Sequence, residues 1–408
     1  MNGKHPAYTR LAIVVCLAVA VRWGASTALP PERFDADQYQ AIATTLVSHH
    51  VFATFPEHPT AFRPPLYPFT LALLGPTGAW AKMRIVTFHI VLTVLTVVIT
   101  FRLAHRLGAP PTIAATIVAL DPILIRQSTF AMTETLAALL AIAGVWALIQ
   151  LTEQPRWSRG LASGILIGLA CLCRPTFLIW GGLVACVLSV QCIRRSSLRP
   201  TTLMLVLGIG AMIGPWVVRN AIVMGHPIIA TTHGGYTLWL GNNADFYEHL
   251  RTEGPAVPWD SAELDARFAT LNKQNEHDER GIDRECYSRA KSAIRADPSG
   301  FVIAVGVRVA RLFQPIPNQV SSEGLTMRTI RYGIGIWYLL IGGSVLAGLW
   351  KTRRDLFTSR YLPGLLLVVA FIGLHAFYWC NMRMRAPLMP WLAIVAAAGW
   401  TRQTLGDD

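Results

Sequence analysis

Residues 131–151 read AMTETLAALLAIAGVWALIQL, with Glu134 near the head and no charged side chain from 135 to 151. A bilayer core about 30 Å thick is crossed by a helix of about 20 predominantly apolar residues, so this stretch reads as a membrane span. Comparable runs lie at 10–29, 84–101, 110–127, 159–173, 176–193, 201–218, 331–350, 361–380 and 386–401, which makes about ten spans. The composition agrees: 53% of the 408 residues are hydrophobic and 14% are charged, with mean hydropathy +0.42. A soluble domain carries roughly 25% charged residues, so too few are present to solvate a globular surface of this size. The counts of 32 Gly, 25 Pro and 7 Cys also exclude a collagen-like chain, a low-complexity chain and a disulfide scaffold. The expected fold is an all-α polytopic membrane protein.

The net charge of +13 would suggest nucleic acid in a soluble protein, but its distribution argues against that partner. Lys4 and Arg10, Arg102 and Arg106, Arg156 and Arg159, Arg194, Arg195 and Arg199, and Lys351, Arg353 and Arg354 share one side if the spans alternate. The positive-inside rule makes that side cytoplasmic, with both termini inside. Arg22 interrupts the first run and no clean cleavage site follows it, so a retained helix is expected there instead of a signal peptide. Three regions result: an N-terminal membrane region 1–221 whose first outer loop is 30–83, an outer-side small domain 222–330, and C-terminal membrane helices 331–408.

Within 30–83, Tyr39, Ile42, Leu46 and Val47 have helical spacing, which predicts a helix in the membrane interface. The apolar run after Pro68 is too short to span and reads as re-entrant or interfacial. The run 300–317 is interrupted by Arg308 and Arg311 and reads as a further interfacial helix. The charge-dense stretch 260–295 reads as solvated helical surface, and Gly234-Gly235-Tyr236 and Gly241-Asn242-Asn243 read as turns. Gly160, Gly164 and Gly168 form a helix-packing pattern. Cys286 and Cys380 are the two cysteines that could pair outside the membrane.

Ionisable groups at a membrane are costly and mark candidate sites. Asp35, Asp37, Arg63, Glu134, Arg174, Arg219, Arg383 and Arg385 all fall at outer span ends. Each has a plain alternative. Asp37 could cap the helix that begins near Tyr39, Arg174-Pro175 could mark a helix boundary, and Arg383 could snorkel to headgroups. Taken together, arginine forks suited to phosphate oxygens and carboxylates suited to proton abstraction converge on one face.

Six segments carry a resemblance: Asp35-Ala-Asp37-Gln-Tyr39, Arg63 to Pro68 with Tyr67, Met132-Thr-Glu134-Thr-Leu136, Arg174-Pro175, Pro215-Trp-Val-Val-Arg219-Asn220 with Gly241-Asn242-Asn243 following, and Arg383-Met-Arg385-Ala-Pro387-Leu-Met-Pro390. In order and spacing the chain resembles the polytopic GT-C glycosyltransferases, in the group of protein O-mannosyltransferases and aminoarabinose (lipid A) transferases. The resemblance implies transfer of a sugar from a polyprenyl-phosphate donor to a lipid, glycan or protein acceptor outside the cytoplasmic membrane, with inversion. An acid of the first outer loop would be the base, Asp35 first and Asp37 second, with Glu134 orienting acceptor or base. Arg63, Arg174, Arg219, Arg383 and Arg385 would bind donor phosphate, Arg385 and Arg219 foremost, and Tyr39, Tyr67, Asn220 and Asn242 would bind substrate. A divalent metal is compatible with the Asp-x-Asp pair, since some relatives in the wider superfamily use one there; His49, His50 and His58 lie in the same segment. The other partners expected are the surrounding membrane lipids. A transporter or lipid flippase is the rival reading, but it is often built from internal repeats, and neither the Asp35–Tyr39 nor the Arg63–Pro68 segment has a second copy.

Overall fold

In lipid only the chain's own amides can satisfy one another, which favours helix throughout the apolar runs. The computed structural model, which describes residues 5–28, 34–275, 278–318 and 324–401, is helical over most of each run. Among the described residues the only β pairing is an isolated bridge between Ala53 and Pro59. The first region holds α1 (His5–Ala28), α2 (Tyr39–His49), α3 (Leu66–Leu74), α4 (Ala81–Arg106), α5 (Pro111–Leu120) and α6 (Pro122–Gln127). It continues with α7 (Glu134–Glu153), α8 (Trp157–Cys173), α9 (Thr176–Arg194) and α10 (Arg199–Val223). A helical cap follows: α11 (Gly234–Gly241), α12 (Ala244–Thr252), α13 (Ala262–Gln274), α14 (Glu279–Ala296) and α15 (Pro298–Leu312). The chain closes with α16 (Leu325–Thr352), α17 (Leu362–Phe377), a 3-10 turn Met382–Leu388, and α18 (Met389–Gly399).

Six of these elements are long and apolar enough to cross a membrane: α1, α4, α7, α9, α10 and α16. Helices α5, α8 and α17 are apolar but shorter. The run 110–127 breaks at Asp121, whose carboxylate caps α6 by accepting the Leu124 N–H at 2.8 Å, and Pro122 follows directly. The run 386–401 begins as the 3-10 turn instead of α-helix. The glycine ladder on α8 packs as expected. A Cβ on Gly160 or Gly164 would come within 2.2 Å of a carbonyl oxygen on α10, so only glycine allows the two backbones to approach this closely.

The short loops bearing the basic residues gather at one end of the bundle. There Glu153 pairs with Arg106 and lies 3.8 Å from Arg360, while the Lys351 ammonium donates to the carbonyls of Gly399 and Thr401. Other segments meet at the opposite end, where Ala131 N donates to Phe34 O at 2.9 Å and Thr232 N to Ala61 O at 3.1 Å. Helix α2 buries Tyr39, Ile42 and Ala43, and α3 leaves Leu73 and Phe69 exposed.

The cap has its own apolar core of Leu238, Trp239, Leu264, Leu271, Ile282, Cys286 and Ala290. All seven cysteines are free, Cys286 and Cys380 among them. The glycine-rich segment expected as a turn at 234–236 opens helix α11, and Asn243 caps α12 by accepting the Phe246 N–H. Nor is the charged stretch 260–295 wholly solvated: Glu279 and Asp283 turn inward and bond the first loop and Gly235. In α15 the interrupting arginines are accommodated by partners. Arg308 is buried and donates to the carbonyls of Ala376 and Gly241, and Arg311 lies over the rings of Phe246 and Trp379.

Candidate active site

Where the cap meets the bundle lies a cavity of about 430 Å³. Its charged wall comes from four distant parts of the chain. Arg63 precedes Pro64 and Pro65, and Pro65 leads into α3 with helical dihedral angles. Glu134 is the first residue of α7, where the helix dipole favours a carboxylate. Arg174 is the extended residue closing α8, with Pro175 after it, so it marks a helix boundary and also faces the cavity. Arg383 sits in the 3-10 turn, whose first residues are held by the Asn381 side chain accepting the Arg383 N–H at 3.0 Å.

These side chains form one ion-pair network. Arg63 Nη2 lies 3.1 Å from Asp37 Oδ1, and its Nε donates to the Asp37 carbonyl at 3.0 Å. Arg174 Nη1 donates to Glu134 Oε1 at 3.0 Å. Arg383 bridges both acids, with Nε 3.3 Å from Glu134 Oε1 and Nη2 3.7 Å from Asp37 Oδ2. Glu134 is buried, and its Oε2 has no hydrogen-bond partner. Tyr39 lines the same wall beneath the Arg63 guanidinium, and burial pushes its hydroxyl up to about 12, so it stays protonated.

Of the twelve candidate residues, Asp37, Tyr39, Arg63, Glu134, Arg174 and Arg383 line this one cavity. The other six candidates lie elsewhere. Both oxygens of Asp35 accept backbone N–H groups at the start of α2, from Gln40 and Ala41 at 2.9 Å each, so Asp35 and not Asp37 is the helix cap. Burial raises the Asp35 carboxyl above the ordinary range, against the pull of those amides. Tyr67 is fully buried and its hydroxyl bonds His89 Nε2 at 2.8 Å. Arg219 stitches the first loop to α10 through the carbonyls of Thr60 and Phe52 and the ring of Trp216, and Asn220 holds Ile228 O. Asn242 bonds Leu238 O, Phe377 O and the Tyr247 hydroxyl within the cap junction. Arg385 is buried, donates to the carbonyls of Leu312 and Gln314, and lies over the Tyr338 ring. The last six therefore build the frame around the cavity and do not line it.

The residue that joins Asp37 to α2 bears on how the two acids diverge. Gln38 has φ 63 and ψ 21, the left-handed conformation that side-chain-bearing residues seldom adopt. It turns the chain so that Asp35 folds back onto α2 while Asp37 reaches the cavity. Gln38 itself lines a second, more open hollow of about 560 Å³, and Phe62 lines both.

The donor set does not suit a metal ion. Asp35 is engaged by backbone amides, Asp37 by arginines, and among the described residues no three His, Cys, Asp or Glu side chains converge to hold one. The opposite wall was not read from the sequence. His233, Tyr236 and Tyr287 come from the cap and Tyr378 from the end of α17. The one signal available was the glycine pair beside Tyr236: a Cβ on Gly234 would come within 2.2 Å of the Tyr287 hydroxyl.

Compared with known proteins, residues 62–218 match the family model for dolichyl-phosphate-mannose-protein mannosyltransferase. Most of the chain superposes on the oligosaccharyltransferase of Archaeoglobus fulgidus, solved tethered with an acceptor peptide, at TM-score 0.55 and 14% identity. The chain has a GT-C fold. That superposition covers 97% of this chain and 49% of the archaeal one, so the GT-C fold here spans about half the length of that relative. ArnT from Cupriavidus metallidurans, solved bound to undecaprenyl phosphate, aligns at TM-score 0.43 and 15% identity over 95% of this chain and 76% of its own. Among curated protein sequences none matches.

Proposed function

We propose that this GT-C protein is an inverting glycosyltransferase that moves a sugar from a polyprenyl-phosphate donor to an acceptor hydroxyl at the outer face of the cytoplasmic membrane. The observation that carries the reading is the convergence of Arg63, Arg174 and Arg383 with Asp37 and Glu134 in one cavity between membrane helices and cap. Arg174 and Arg383 share Glu134 Oε1, which aligns two guanidinium forks for the oxygens of one phosphate. Asp37 is the base. Its carboxylate is oriented by Arg63, and the 3.7 Å contact from Arg383 is the loosest in the network and the one a bound phosphate would draw away.

The acceptor hydroxyl gives its proton to Asp37 as its oxygen bonds to the anomeric carbon. The bond from that carbon to the phosphate oxygen breaks, and polyprenyl phosphate leaves with the electron pair. Attack opposite the leaving phosphate inverts the anomeric centre. The second hollow supports an acceptor approach from the Gln38 side, since Gln38 and Phe62 border it next to Asp37. The basic residues in the short loops at the far end support the orientation, because the positive-inside rule favours that end as the cytoplasmic one.

Binding of undecaprenyl phosphate to the purified chain in nanodiscs tests the phosphate assignment. Arg174→Ala and Arg383→Ala are each expected to weaken it roughly 10- to 100-fold, the worth of a lost charge-assisted hydrogen bond. Unchanged affinity in both variants would overturn the assignment.

A further inference from the structure

The cavity has two chemically different walls. All five of its charged side chains belong to the wall made by Asp37, Arg63, Glu134, Arg174 and Arg383. With three guanidiniums and two carboxylates, that wall is one positive charge in excess, which matches the single negative charge of a phosphodiester. The facing wall, from the cap and the end of α17, presents His233, Tyr236, Thr237, Tyr287, Tyr378 and Asn381, none of them charged by type at neutral pH except histidine. Burial and the nearby Arg63 hold the His233 imidazole well below the usual histidine range, so it is neutral, with one donor and one acceptor nitrogen. Its ring is packed between Phe62 at 4.3 Å and Tyr236 at 5.4 Å, and its buried Nδ1 has no protein partner.

The tyrosines are fixed from behind. The Tyr236 hydroxyl donates to Asp265 on α13, and those of Tyr287 and Tyr378 bond each other at 3.2 Å. This wall is polar and aromatic and is made by the cap and the segment that follows α17, so it suits a polar group better than a polyprenyl chain.

We propose that the uncharged wall holds the donor sugar and selects a neutral polyhydroxyl sugar over amino sugars and uronic acids, with His233 reading one hydroxyl. The inference rests on the phosphate lying against the arginines, as proposed above. A protonated amino sugar would meet no accessible carboxylate free of an arginine, since Asp37 and Glu134 are both paired and the unpartnered Glu134 Oε2 is buried, and an unpaired buried charge is costly. A uronate would meet no cation other than those the phosphate uses. A neutral sugar meets aromatic faces and a histidine with an unused hydrogen-bonding nitrogen, and a site built to bond a hydroxyl discriminates strongly.

The test measures affinity of the full chain in nanodiscs for undecaprenyl phosphate, bare or carrying a neutral hexose, an aminopentose or a hexuronic acid. The hexose is expected to add about ten-fold over the bare lipid phosphate, and the charged sugars nothing. His233→Phe keeps the packing against Phe62 and Tyr236 and should remove the ten-fold gain while binding bare undecaprenyl phosphate as the wild type does; His233→Gln should restore part of it. Preference for either charged sugar, or a full hexose gain in His233→Phe, would overturn the proposal. Tight binding of the bare lipid with no gain from any sugar would overturn it while sparing the phosphate assignment. Failure of the bare lipid to bind would remove both.

Discussion

Asp35 and Asp37 stand two residues apart and serve opposite partners: Asp35 accepts the amides of Gln40 and Ala41, while Asp37 pairs with Arg63 across the cavity wall. The first therefore serves the helix, and the second is the one that lines the cavity and that we propose as the base. Asp35→Ala is expected to lose about 1 kcal/mol of stability, as removal of a helix cap does. Asp35→Asn keeps an acceptor for the cap and should retain most of the transfer rate. Thermal unfolding and turnover of the two variants check this; a dead Asp35→Asn that melts normally would return the base to Asp35.

Gln38 turns the chain between Asp37 and α2 in a left-handed conformation. Such a conformation costs an L-residue roughly 1–2 kcal/mol and a glycine almost nothing. Gln38→Gly should therefore unfold no earlier than wild type and keep its activity. Gln38→Val places a β-branched residue there and should lower both, because relief of the strain would swing Asp37 out of the cavity. Equal activity in Gln38→Val and Gln38→Gly would show that the turn does not position the acid.

Glu279 docks the cap on the first loop, accepting from the hydroxyls of Thr60 and Thr232 and from Ala61 N. Burial raises its carboxyl above the ordinary range, and its hydrogen bonds only partly offset this. A raised acid holds more protons folded than unfolded, so its contribution is full below the ordinary glutamate range and is lost as pH rises through the folded value. Glu279→Gln should flatten that slope, and the gap between wild-type and variant melting temperatures should move in the variant's favour from pH 4 to pH 7. A gap that does not change with pH would mean that the carboxyl titrates as it does in the unfolded chain.

How far the sequence discloses this site follows from the range of the forces involved. The membrane helices are legible because apolar runs suffice to define them, and Glu134 and Arg174 because charges at helix ends stand out against such runs. Arg383 and Arg385 are not separable by eye. They lie in a 3-10 turn, where residues two apart point in different directions, so one enters the cavity and the other is buried against Leu312 O and Gln314 O. The choice between Asp35 and Asp37 depends on the dihedral angles of Gln38, which no periodicity reports. Likewise Arg219 looks like a phosphate ligand in sequence, yet folding brings the carbonyls of Phe52 and Thr60 to it. His233 and the tyrosine wall exist only once the cap has closed on α17, a contact between residues 91 or more positions apart in the chain.

Transfer by Asp37→Asn tests the central claim most directly. The purified chain, given an undecaprenyl-phosphate-linked neutral hexose and an acceptor hydroxyl, is expected to yield product with the opposite anomeric configuration. Asp37→Asn at matched amount should bind the donor as wild type does and lose about 10²- to 10⁴-fold in transfer, the range a general base supplies. Wild-type turnover by Asp37→Asn, or a product with retained configuration, would contradict the account.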